Sequence, residues 1–528
     1  MHGASLAWRG SVSARGSLGA PAVAAALALC AALGCCGAAG AQSAAIVIPA
    51  AGGAAWSASE LAGLRRDLDA VLAAAPALKE AHVGVLALAT ANGSVLYARG
   101  ADDAFAPAST LKLLVGSVAL ERLGPDYRFA TAASLAPGSD GADALEVTGF
   151  GDPLLAARDL DGLAEAVAAK GERVGSVAVD ATLFGDAPYP DGWTWDDFGE
   201  DYAARISAAT IEENVVHVHL RLDENGAVAA SAAPLPGVFA GAGPDCRADG
   251  GYIVVRAKPQ PGAESDVDAR VDGPCVVLDG VVGNGATDVD VAVPDPPLYL
   301  GAIVLRALAA RGVDVNGAAV ARVPPERGIG ASGTAPAGAP FVPTLDSALW
   351  AHRSPPLGQI LGPRFWIPSD NLVGETLLLQ LALSRPALPA TRAAAFQVER
   401  EWLRSIGVDP ATVTLADGCG MSQYDRITPR ALTAILQHDW QGPNRQLVLD
   451  SLPVGGARGT IEGIAGTDAA GRVFAKTGSM RHVRGLAGYL ATKRHGAVTF
   501  AFSVDDWIGD YAALAKVRAQ VLARIVDD

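Results

Sequence analysis

Charge is scarce in this sequence. Only 18% of its 528 residues are charged, and acids outnumber bases 56 to 41, for a formal net charge of −15. A nucleic-acid binder needs a basic stripe to neutralise phosphates, and the balance here has the opposite sign. The same sign excludes electrostatic docking on an anionic membrane surface. An anionic substrate group would need a local cationic pocket, because the global field repels it. Lysine is scarcer still. Of the 41 basic residues seven are lysine, at 79, 112, 170, 258, 476, 493 and 516, which leaves 34 arginines. Arginine serves wherever plain positive charge is enough, so the remaining lysines draw attention to chemistry that needs an amine able to lose its proton.

Other absences exclude reactions. No serine sits at the centre of a G-x-S-x-G elbow. No H-E-x-x-H marks a zinc peptidase. The eight histidines supply no local motif for a Ser-His-Asp triad. His217 and His219 alternate on an expected strand but lack a third ligand, so no metal site is read. Beyond the N-terminal segment, no stretch is long and apolar enough to span a membrane. With half its residues hydrophobic the chain is not disordered, and its length suits two or three domains.

Residues 1–41 read as an address. They carry Arg9 and Arg15 and no acid, then an apolar run from Leu18 to about Leu33, then Ala39-Gly40-Ala41 before Gln42. A positive start, an apolar middle and a small-residue cleavage site predict a secretory signal peptide. An uncleaved anchor, and lipidation at Leu33-Gly34-Cys35-Cys36, are the alternatives. Removing the two arginines takes the net charge from −15 to −17. Cys30, Cys35 and Cys36 leave with the segment, so Cys246, Cys275 and Cys419 remain. An odd count in an exported chain means one bond and a free thiol, or no bond. Cys246 and Cys275 flank one strand-rich region and are the candidate pair.

Hydrophobic spacing predicts a helix over 58–75, strands at His82–Ala89 and Ser94–Tyr97 joined through Asn92-Gly93, and a helical stretch from Ser109 to about Leu123. From about 125 to 345 short β-like runs such as 174–179, 215–222 and 253–255 alternate with turn residues. Helical patterning returns at 371–383 and 391–406, and the chain ends in a hairpin (486–492 and 497–504) and a helix over 511–525. This predicts a catalytic domain in two pieces, 42–125 and 346–528, around an inserted β-rich region, 126–345, of two subdomains.

Three short motifs carry chemistry. In Ser109-Thr110-Leu111-Lys112 the amine stands three residues from the hydroxyl, on one face of a helical turn. Ser369-Asp370-Asn371 stands just before a helix. Lys476-Thr477-Gly478 lies in the strand-like run Val473 to Ser479. Each is weak alone. All three, in this order and widely separated, form the pattern of the penicillin-recognising serine enzymes.

The chain resembles the D-alanyl-D-alanine carboxypeptidase/endopeptidase family of low-molecular-mass class C penicillin-binding proteins, whose catalytic domain carries a large insertion. Further stretches carry the resemblance: Pro107-Ala108 ahead of Ser109, Gly149-Phe150-Gly151-Asp152-Pro153, Trp193-Thr194-Trp195-Asp196-Asp197-Phe198, Asp417-Gly418-Cys419-Gly420-Met421-Ser422 and Gly459-Thr460. Cys419 departs from the family's usual serine, and Met421 from its leucine. Ser369 follows Ser109 by 260 positions, a far wider gap than in a β-lactamase.

The resemblance implies an α/β (α+β) transpeptidase-like fold, an antiparallel sheet flanked by helices with inserted β-rich subdomains. It implies stem peptides ending in D-Ala-D-Ala as substrate, β-lactams as covalent inhibitors, an extracytoplasmic location and no cofactor. Ser109 would be the nucleophile, Lys112 its base once burial and the neighbouring charge of Lys476 lower its pKa, and Ser369 the proton relay. Asn371, Lys476, Thr477, Gly478 and Ser479 would bind substrate, with the oxyanion between the N–H groups of Ser109 and Ser479. Asp197 would meet the free amine of a diaminopimelate side chain, or else be a capping or solvated acid. A β-lactamase or esterase on the same scaffold and a non-catalytic wall-binding protein are the alternatives.

Overall fold

The computed structural model describes residues 53–137, 143–171, 173–239, 251–273, 275–317, 319–323, 345, 348–385, 389–461, 464 and 466–527. The segment read as a signal peptide lies outside these residues, as does Cys246. Cys275 is disulfide-bonded, and Cys419 is buried and free. No helix among the described residues is long and apolar enough to cross a membrane.

One five-stranded antiparallel sheet is built from both ends of the chain. Its strands are β1 (His82–Ala89), β2 (Val95–Arg99), β3 (Val473–Met480), β4 (Val483–Ala491) and β5 (Ala497–Asp505), in the order β3-β4-β5-β1-β2. All nine residues of β4 are buried, which requires cover on both faces. Alternation divides β1 accordingly. Val83, Val85, Ala87 and Ala89 join a core with Leu64, Leu68 and Leu72 of α1 (Ala58–Ala73) and Leu514, Val521 and Ile525 of α6 (Tyr511–Asp527). Leu86 and Leu88 point to the other face, where they cluster with Ala101. Elements beyond that face include α2 (Lys112–Arg122), α3 (Asn371–Ala382), α4 (Arg392–Ser405) and α5 (Pro429–Gln441).

Helix starts follow capping chemistry. Ser57 and Glu60 form a capping box on α1. Asp370, Thr391 and Thr428 accept backbone N–H bonds at the starts of α3, α4 and α5.

The stretch between carries further sheets. A five-stranded one runs in the order Val320–Arg322, Ser176–Asp180, Asp143–Gly149, Ala130–Pro137 and Trp350–Arg353. A three-stranded sheet centres on Val215–Leu222 and a four-stranded one on Cys275–Val282. Two helices, Leu160–Ala168 and Pro296–Ala310, stand where the pattern suggested only strands and turns. Pro296-Pro297 reads as a turn in sequence, but after Asp295, whose side chain accepts from Leu298 N, proline at the first helical position starts a helix.

Candidate active site

The turn carrying Ser109 is a correction to the expected helix. Ala108–Leu111 form a 3₁₀ turn, and the α-helix begins at Lys112. Ala108 has φ +44°, a conformation non-glycine residues rarely adopt, and Ser109 follows it half-buried near the start of the turn. The expected reach is still met, because Lys112 Nζ lies 2.8 Å from Ser109 Oγ. The same amine lies 2.7 Å from Asn371 Oδ1 and 2.8 Å from the carbonyl oxygen of Cys419.

Lys112 is fully buried, and burial lowers its pKa. Cys419, Asp417, Asp370 and Glu375 act in the opposite direction. Burial, one of the two causes expected from the sequence, is the leading one. The repulsion between the two amines is mutual, and Lys476 is shifted too. Its pKa falls well below the ordinary value, first by burial and then by the charge of Lys112.

Lys476 Nζ donates to Ser369 Oγ at 2.9 Å and to the carbonyl of Thr477 at 2.9 Å. Ser369 has φ +67°, a second strained position at the site. Asn371 Nδ2 donates to the backbone oxygen of Tyr202 at 2.7 Å, so this amide links Lys112 to the inserted region. Thr477 Oγ1 and Thr460 Oγ1 are 2.6 Å apart.

β3 is an edge strand that lies against the Ser109 turn. A Cβ at Gly478 would stand 2.5 Å from Pro107 O and 3.1 Å from Thr110 N, so no side chain fits between them. A Cβ on its cross-strand partner Gly485 would likewise stand 2.9 Å from Thr110 Cγ2. Ser479 is exposed next to Gly478.

The loop 417–422 closes the far side of Lys112. Asp417 accepts from Gly420 N and Ser422 N, each at 2.6 Å, and from Trp193 Nε1 at 2.9 Å. Glu375, fully buried on α3, accepts from Gly418 N at 2.6 Å and Cys419 N at 2.9 Å. Burial pushes Glu375 up to about 7 and holds Cys419 as a thiol. Glu375 was missed in the sequence, although one signal was visible. Glu375 is the one charged residue in the apolar run from Leu372 to Leu383, four positions after Asn371.

Asp197 is half-buried in a 3₁₀ turn. It accepts from Thr194 Oγ1 and, at 3.1 Å, from the hydroxyl of Tyr202. Neighbouring Trp195 is exposed. The Tyr202 backbone joins this turn to Asn371, so Asp197 stands one residue away from the Lys112 network.

Among the described residues one group has metal-ligand spacing, Glu375, Asp417 and Cys419. Its carboxylates already accept several N–H donors, which would repel a cation. His217 and His219 each pair with an aspartate across the strand, Asp290 and Asp288, at 2.7 Å.

The family described as the D-Ala-D-Ala carboxypeptidase 3 (S13) family matches residues 64–525. A D-alanyl-D-alanine carboxypeptidase of Actinomadura sp. (strain R39) is 32% identical over 452 residues, 82% of this chain and 79% of that protein. D-alanyl-D-alanine carboxypeptidase DacB of Haemophilus influenzae is 23% identical over 348 residues, 65% of this chain and 67% of that one. The crystal structure of penicillin binding protein 4 (dacB) from Haemophilus influenzae aligns with a TM-score of 0.70 at 22% identity, over 86% of this chain and 98% of that one. The last likeness concerns the fold, which is the α/β class expected from the sequence.

Proposed function

The chain belongs to the D-Ala-D-Ala carboxypeptidase 3 (S13) family, serine peptidases of peptidoglycan, and from that premise we propose an exported acyl-enzyme mechanism centred on Ser109. The observation that carries it is the contact of 2.8 Å between Ser109 Oγ and a fully buried lysine amine. Lys112, with its pKa lowered by burial, takes the hydroxyl proton as Oγ attacks the penultimate carbonyl of a stem peptide ending in D-Ala-D-Ala. The oxyanion forms between the N–H groups of Ser109 and Ser479, each such donor contributing about 3 kcal/mol. Ser369, held by Lys476, returns a proton to the leaving D-alanine, and water then hydrolyses the ester. Lys476, Thr477 and Ser479 receive the terminal carboxylate, with Gly478 giving the strand its close approach. Asn371 holds the acyl side chain. Asp197 pairs with a free amine on the third stem-peptide side chain.

A β-lactam mimics the dipeptide and leaves a slow ester on Ser109. No step uses a metal or cofactor. Residues 42–125 and 346–528 form the catalytic domain and 126–345 the insertion, to whose five-stranded sheet the strand Trp350–Arg353 adds. Wall-exposed action requires export, which the segment 1–41 supplies. The test is release of D-alanine from a synthetic stem pentapeptide, beside cleavage of a cross-linked dimer of such peptides. Release of either product by the wild-type chain and by no Ser109→Ala chain supports the reading. Equal release by both chains refutes it.

A further inference from the structure

We propose that Glu375, with Asp417, is a positioning residue for the general base: it fixes the peptide carbonyl of Cys419 against the amine of Lys112. The inference rests on the reading of Ser109 and Lys112 as nucleophile and base.

A neutral amine has two N–H bonds and one lone pair. Lys112 Nζ has three partners: Ser109 Oγ, Asn371 Oδ1 and Cys419 O. The last two can only accept. When they take the two N–H bonds, the lone pair is left for the Ser109 proton. If either acceptor is displaced, the amine can turn an N–H toward Ser109, which makes the serine an acceptor and leaves its proton without a base.

Asn371 Oδ1 is held by its own helix and by the Nδ2 bond to Tyr202 O. The Cys419 carbonyl lies in an irregular loop and needs another anchor. It belongs to the same planar peptide as Gly420 N–H, so fixing that N–H fixes the carbonyl in the opposite direction. Asp417 Oδ1 takes Gly420 N at 2.6 Å. The preceding N–H, of Cys419, goes to Glu375 Oε1 at 2.9 Å and Asp417 Oδ1 at 3.1 Å, and Gly418 N goes to Glu375 Oε1 at 2.6 Å. Arg392 Nε holds the second oxygen of Glu375 at 3.3 Å. Packing leaves the loop no slack. A Cβ at Gly420 would stand 1.9 Å from Ala108 O, and one at Gly418 would stand 2.8 Å from Leu378 Cβ. Asn371 and Glu375 are four apart on α3, one turn, so a single helix sets both acceptors of the amine.

The test is the rate at which a fluorescent penicillin labels the full chain between pH 5 and 9, for wild type, Glu375→Gln and Glu375→Ala, with melting curves for each. Glu375→Ala is expected to lower the plateau rate about 10²-fold, the scale of a 1 Å misplacement. Glu375→Gln, which keeps an acceptor oxygen, is expected to recover part of that loss. In both, the part of the acid limb above about pH 7, where Glu375 is ionised in the wild type, moves to lower pH, because a negative charge that helps Lys112 keep its proton is gone there. Wild-type plateau and limb in the folded variants would overturn the inference. So would a lower plateau with an unmoved limb, which is what slack packing alone produces. Should Glu375→Ala not fold, Glu375→Gln decides by the same two readings. A wild-type chain that takes no label refutes the acyl-enzyme reading itself, and the inference falls with it.

Discussion

Gly478 offers a direct test of how closely the edge strand must approach the nucleophile. In Gly478→Ala the new methyl would stand 2.5 Å from Pro107 O and 3.1 Å from Ala108 Cβ. Ordinary contact begins at 3.4 Å, so strand and turn must part by about 0.9 Å. Overpacking of this kind costs roughly 1–3 kcal/mol of stability, which a domain of this size tolerates. The catalytic cost is larger. Ser479 N–H and Ser109 N–H stand on opposite sides of the gap that opens, so the oxyanion loses its fit to one donor. A displacement near 1 Å corresponds to roughly 10²-fold in rate, or about 2.7 kcal/mol at 1.36 kcal/mol per tenfold. The assay is labelling by fluorescent penicillin, with circular dichroism and melting to confirm folding. Gly171→Ala, where the methyl meets nothing within 4 Å, is the control. A folded Gly478→Ala chain that labels at the wild-type rate would refute the reasoning.

Further substitutions separate charge, proton and substrate. Lys112→Arg keeps positive charge but cannot release a proton, so D-alanine release should fall by roughly 10²- to 10⁴-fold; near wild-type turnover would remove Lys112 as the base. Asp197→Asn should raise KM about fivefold, the scale of a partly exposed ion pair, for a stem peptide with a free third-residue amine. It should do so far less when that amine is acetylated, and an equal rise for both would contradict the pairing. Glu399 is buried on α4 with no hydrogen-bond partner among the described residues for either carboxyl oxygen, and burial pushes it up to about 8. A carboxyl that holds its proton more tightly folded than unfolded stabilises the chain below about pH 4.5 and loses that contribution as pH rises through 8. Glu399→Gln removes the titration, so its melting temperature relative to wild type should rise between pH 5.5 and 8.5. A difference that stays constant with pH would contradict the assignment.

The catalytic motifs were legible because the chemistry confines each to a few adjacent residues. Ser109 and Lys112 meet whether the turn between them is 3₁₀ or α, so the wrong helix type did not displace them. Strands such as His82–Ala89 and Val215–Leu222 were legible from their spacing. The helix Pro296–Ala310 was not, because paired prolines mark a turn until a capping Asp295 is seen before them. The clamp on Cys419 was hidden for a different reason. Glu375, Asp417 and Trp193 are far apart in sequence and meet only when α3 and the inserted region both pack on the 417–422 loop. Burial was expected to lower the pKa of Lys112 together with the charge of Lys476, and it is the leading cause.

The acyl-enzyme is the central claim, and its mass is its most direct test. The purified chain lacking residues 1–41 is mixed with penicillin and its intact mass taken, beside a Ser109→Ala control. The account predicts a stable gain of one penicillin in the first and none in the second. A gain in the control, or no gain in the first, would contradict it.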